Sequence, residues 1–158
     1  MTPDWTEFFR QLQTYPPEVH NLLPPCAESR IEAVQQELGR MPDVLVSMVK
    51  HFGGAELFCK CGPLISIFGL SNIPSRPPLE WASDWYIDKF TPIWRSSHNR
   101  MGDWVIGMTN YGGLIVLDEH GTVREWDTAQ NKWSPMQRRF DEWLNCILRG
   151  GDAYMKEE

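Results

Sequence analysis

The chain reads as a single α+β domain, and three observations predict this. Apolar residues in the first third repeat at helical spacing, in segments bounded by prolines and glycines. From Asp103 to Asp127 the pattern changes to short apolar runs broken by Gly112-Gly113 and Gly121, as expected of short antiparallel strands. Helical spacing then returns in the stripe Phe140, Trp143, Leu144, Ile147 and Leu148.

Thr2-Pro3-Asp4 looks like a helix start, with Thr2 as N-cap, Pro3 at the first helical position and an acid in the first turn. Trp5, Phe8, Phe9 and Leu12 continue it until Pro16-Pro17, so residues 1–21 read as an N-terminal appendage helix. A second helix is predicted over 27–38, with Ile31, Val34 and Leu38 on one face and Gly39 as its stop. Pro42 opens a third, whose apolar face is Val44, Leu45, Met48, Val49 and Phe52, before Gly53-Gly54.

Glu56–Phe58 and Leu64–Phe68 read as strands, the second as one buried on both faces. Residues 71–80 form a proline-rich loop, and Trp81 to Phe90 reads as a helix that Pro92 interrupts. Asp103–Thr109 and Leu114–Leu117 are strands, and Asp118-Glu119-His120-Gly121 is a hairpin turn with Gly121 at the positive-φ position. In the next strand Val123 and Trp126 have opposite parity, so either one faces outward or a bulge re-aims the chain. Ser134-Pro135-Met136-Gln137 matches a capping box that would start the last helix. Gly150-Gly151 would end it and leave 150–158 as a frayed tail.

At 158 residues the chain is long enough to bury a real core. A net charge of −6 argues against a nucleic-acid surface, and Arg95, Arg100, Arg138 and Arg139 are too interspersed with acids to make one. It suits instead a basic protein partner. No run approaches a membrane span and no secretory leader is visible; with four irregularly spaced cysteines, the expectation is a cytoplasmic protein with free thiols.

Catalytic and cofactor signatures are weak throughout. Ser96-Ser97-His98 is an adjacency, not a dyad, and no G-x-S-x-G turn occurs. Gly112-Gly113 precedes a strand rather than a phosphate-cradling helix. Cys59-Lys60-Cys61 with His51 and Cys26 offers zinc-type donors at the wrong spacing, so neither a metal nor another cofactor is expected. The acid pairs Asp118/Glu119, Glu125/Asp127 and Asp141/Glu142 read as solvated or ion-paired. One segment favours recognition: at helical spacing Trp81 and Trp85 share a face beside Asp84 and Asp88, setting aromatic anchors next to negative charge.

Two segments carry a family resemblance. They are LPPCAESRIEAVQQELGRMPDVLVSMVKHFGGAELF and the stretch from Asp103 to Leu144, with its glycines, the Leu117-Asp118 and Gly121 turn, Val123, Trp126 and Phe140-Asp141-Glu142-Trp143-Leu144. Together they resemble the SUKH superfamily over residues 22–149. The group includes fungal cell-wall assembly regulators and bacterial toxin-immunity proteins. The resemblance implies a central, mostly antiparallel sheet wrapped by helices, and protein binding without catalysis. It points first to an immunity protein that occludes the active site of a cognate toxin, with a nuclease as one candidate class. A regulatory or scaffold module without a toxin is the second expectation, and an enzyme of unrecognised type the third.

Overall fold

The computed structural model describes residues 2–71 and 86–157. Among them are five α-helices: α1 (Trp5–Leu12), α2 (Glu28–Leu38), α3 (Asp43–His51), α4 (Ile87–His98) and α5 (Phe140–Lys156). The strands are β1 (Asn21–Leu22), β2 (Ala55–Leu57), β3 (Ile65–Ile67), β4 (Trp104–Thr109), β5 (Leu114–Leu117), β6 (Thr122–Asp127) and β7 (Lys132–Arg139). They form one antiparallel sheet in sequence order, each strand bonded to the next. The α+β expectation holds.

Strand register explains the composition of the central strands. Leu114 and Val116 pair with Trp126 and Arg124, while Ile115 and Leu117 pair with Glu125 and Val123. Paired residues share a face, so Val123 and Trp126 lie on opposite sides of the sheet. All four residues of β5 are buried, as its unbroken apolar run requires. The alternative of a bulge is also realised, but against β7. Arg124 pairs with Gln137 and Trp126 with Trp133, so Ser134, Pro135 and Met136 oppose Glu125 alone. Proline has no N–H to give a ladder, and this irregular stretch tolerates that loss. In β4 the register slips between Val105 and Gly107, and a Cβ on Gly107 would lie 2.7 Å from the Ser66 carbonyl oxygen. Only glycine allows this approach of two backbones. In β3, Ile65 and Ile67 are buried but Ser66 between them is half-buried, so its burial alternates instead of covering both faces.

Several boundaries differ from the sequence expectation. The cap of α1 is Asp4, whose carboxylate accepts the Glu7 N–H at 3.1 Å, in place of Thr2. Pro42 is the N-cap of α3 rather than its first helical residue. Helix α4 starts at Ile87 and runs through Pro92. The proline is on the exposed side and forfeits only the bond to the Asp88 carbonyl. The proposed capping box lies inside β7, because pairing with β6 continues to Arg139. Ser134 Oγ instead accepts the Met136 N–H at 3.3 Å.

The C-terminal segment is helical to Lys156 and not frayed. Gly151 is a packing residue: a Cβ there would sit 2.2 Å from the Phe58 ring. The helix end is also tied down by Tyr15 Oη donating to Asp152 and by Lys60 Nζ donating to the Glu157 carbonyl at 2.7 Å. Burial, and after it the Asp152 carboxylate, holds the Tyr15 phenol up at about 12.

Helix α1 belongs to the same core. Trp5, Phe8 and Leu12 are buried, Phe8 lies parallel to Phe52 at 6.2 Å, and Trp5 meets Phe140 edge-on at 6.4 Å. Each such ring contributes about 2 kcal/mol of burial. Trp5 Nε1 donates to Ser47 Oγ at 2.8 Å, which satisfies its polar edge.

Candidate functional site

Three loops meet at one end of the sheet. The first joins α2 to α3, where Gly39 takes φ +99° and Met41 turns inward to 1% exposure. Its shape is fixed by Gln35 Oε1, which accepts the Met41 N–H at 3.0 Å. The second leaves α4 through Asn99, in the left-handed region at φ +52°, and reaches β4 at Trp104. Asp103, buried, clamps that loop by accepting from Trp94 Nε1 at 2.9 Å and from the Arg100 guanidinium. The third is the β5–β6 turn. There Asp118 Oδ1 accepts the N–H groups of His120 and Thr122 at 2.9 and 3.0 Å, and Gly121 takes φ +81° as expected.

Between these loops lie two adjoining clefts. One, of about 480 Å³, lies between the α2–α3 turn and the α4–β4 loop, with Arg40, Asp43, Arg95 and Trp104 in its wall. The other, of about 580 Å³, is lined by Arg100, Asp103, Asp118, His120 and Arg124. Met101, Gly102 and Glu119 border both. Met101 is 68% exposed, a large apolar side chain on a charged rim. Glu119 lies so close over Gly102 that a Cβ there would be 2.7 Å from its carboxylate oxygen.

Guanidinium–indole stacking organises the chemistry. Arg95 lies 4.6 Å from the Trp104 ring centre, and Arg124 and Arg100 lie 4.1 and 5.0 Å from that of Trp133. Trp133 is the cross-strand partner of Trp126, and both meet Trp94 edge-on. His98 stacks on Trp94 at 3.7 Å and its Nδ1 lies 3.2 Å from the Trp94 carbonyl oxygen, so it joins this aromatic cluster. Its neighbours Ser96 and Ser97 are exposed.

Of the predicted recognition residues, Trp81, Asp84 and Trp85 lie outside the described residues. Asp88 is buried. Its Oδ1 accepts the Ser71 N–H at 2.7 Å, and its Oδ2 accepts from the Ser71 hydroxyl and from Arg30 Nη2, the latter at 2.6 Å. That carboxylate joins α2 to α4 instead of facing outward.

The residues weighed for zinc are apart in function. His51 stacks on Trp5 at 5.2 Å, and burial raises the thiols of Cys26 and Cys59, the latter to about 11. No group of three potential metal ligands forms among the described residues. No helix among them is long and apolar enough to cross a membrane.

The profile described as the SMI1 / KNR4 family (SUKH-1) matches residues 25–146. The chain belongs to this family. No curated protein matches it. The match spans the α2–α3 pair, the whole of β2–β7 and the first turns of α5, so all three cleft loops fall within it. Trp94-Arg95 and Arg124-Glu125-Trp126 were the available sequence signals for this face, since each sets a guanidinium within two residues of an indole. Read as one-dimensional charge, those arginines are diluted by acids; only the fold collects them.

Proposed function

We propose that this member of the family is a non-catalytic protein-binding domain, an immunity protein that neutralises a cognate bacterial toxin by covering its active site. The observation that carries the reading is the set of guanidinium–indole stacks, Arg95 on Trp104 at the cleft and Arg100 and Arg124 on Trp133 of β7. Tryptophan and arginine are the residue types most enriched at binding hot spots, and here they are held in fixed stacks. The titratable groups nearby are occupied in holding the fold, as with Asp103, Asp118 and His98. Family membership and a net charge of −6 support the same reading, the charge suiting a basic partner such as a nuclease. Trp81, Asp84 and Trp85 remain candidate contacts on the segment that α4 anchors through Asp88.

Co-expression with the toxin encoded beside this gene tests the proposal. The wild-type chain is expected to restore growth, and the doubly substituted Trp133→Ala/Arg124→Glu chain to restore it poorly while remaining folded by circular dichroism. Absence of both rescue and a stable complex would overturn the immunity role. A regulatory or scaffold module would then be the family reading that survives.

A further inference from the structure

Arg95 is 6% exposed, and its charge is not matched by an ion pair among the described residues. Its Nε donates to the Asp103 carbonyl at 2.8 Å and its Nη1 to the Leu38 carbonyl at 2.7 Å. The Asp103 carboxylate nearby is already taken by Arg100 and Trp94. Of the five N–H donors of a guanidinium, about three are therefore left, and Nη2 makes no bond among the described residues. A buried cation without its counter-ion is costly, and an anion bound at Arg95 would offset that cost. Burial lowers its pKa, with the Asp103 charge opposing, as this imbalance requires.

The wall containing Arg95 also holds the start of α3. Pro42 and Asp43, the start of α3, line the same cleft, and Pro42 caps that nine-residue helix without any side-chain acceptor. Positive partial charge at the helix start thus faces the cleft that Arg95 lines. Arg40 is exposed on the rim, 3.6 Å from Asp43.

We propose that the cleft between the α2–α3 turn and the α4–β4 loop is a carboxylate pocket centred on Arg95, which takes an aspartate or glutamate side chain of the protein partner. The identity of the source rests on the protein-binding reading; the pocket chemistry does not. Two features select a singly charged carboxylate over phosphate. Asp43 and Glu119 share the lining and repel a doubly charged anion more strongly. Leu38 and the exposed Met101 give an apolar path for the methylenes of a side chain. A basic partner with one acid aimed into this cleft would meet both the overall negative charge and the unmatched guanidinium.

The test uses the intact wild-type protein and the NMR resonances of its arginine Nε–Hε groups. The probes are N-acetyl-glutamate methylamide, the matching glutamine compound and inorganic phosphate, at constant ionic strength set with chloride. The Arg95 signal is expected to shift saturably with the glutamate compound, at a dissociation constant on the order of millimolar, and not with the glutamine compound. Arg40→Ala, a change on the exposed rim, should weaken that binding about threefold. An Arg95 signal unmoved by either anion would overturn the pocket, and tighter binding of phosphate would overturn the protein carboxylate as its occupant. Because no toxin is present, a failed toxin complex with an intact titration would remove only the immunity reading.

Discussion

Two arginines bridge α2 and α4, and they are treated in opposite ways. Arg30, on α2, donates to the Ser71 carbonyl and hydroxyl and pairs with the buried Asp88 on α4. Arg95, on α4, returns the contact by donating to the Leu38 carbonyl at the end of α2, yet has no carboxylate of its own. The first bridge is electrically closed and the second is open. The difference separates two uses of buried charge in one interface: a closed pair positions helices, whereas an open one positions helices and keeps donors for another molecule.

Substitutions at the two bridges should therefore be unequal. Asp88→Ala leaves Arg30 uncompensated and the Ser71 N–H without an acceptor. It should cost about 3 kcal/mol, the low end for a broken buried pair because the Arg30 side chain is 23% exposed. A urea titration reads this directly. Arg95→Met loses two bonds to carbonyls but also removes an unmatched charge and keeps an apolar stem over Trp104. Its cost should be about 1 kcal/mol. Equal losses for the two variants would break the comparison.

A pH titration sharpens it with a half-buried imidazole. His20 Nδ1 accepts the Phe58 N–H at 3.1 Å, and burial holds its pKa below the usual value. The folded state thus prefers neutral imidazole. Its stabilising contribution is present above the unfolded pKa of about 6.5 and is lost as pH falls through the lower folded one. The urea midpoint should drop between about pH 7.5 and 5.5, by less than either substitution does. His20→Asn, which keeps an acceptor for Phe58, should flatten that slope. The smallest effect belongs to Arg40→Ala, whose ion pair is exposed: stability should stay within about 0.5 kcal/mol of wild type.

Legibility followed the range of the interactions involved. The apolar stripe of α5, the run Leu114–Leu117 and the Gly121 turn are local patterns, and they are where the sequence places them. Ser134-Pro135-Met136-Gln137 has the local form of a helix cap, but pairing with β6 outweighs it, and no neighbouring residue announces that partner. Gly150-Gly151 reads as a stop by the same local logic. Its purpose depends on Phe58, far away in the chain. The clefts were least visible, because their lining comes from three separated loops and their key property is a counter-ion that Arg95 lacks. Helical spacing sets Asp84 and Asp88 on a face beside Trp81 and Trp85, whereas Asp88 turns inward to Ser71 and Arg30 because those partners come from distant segments.

That inward turn has a consequence for chain length. Ser71 and Asp88 hold each other, and the Ile87 N–H donates to the Gly69 carbonyl at 2.9 Å, so the two described ends on either side of residues 72–85 are pinned side by side. Closing a longer connection between two fixed ends costs only about 0.6 kcal/mol per doubling of its length. A change of length confined to residues 72–85 would leave both contacts in place.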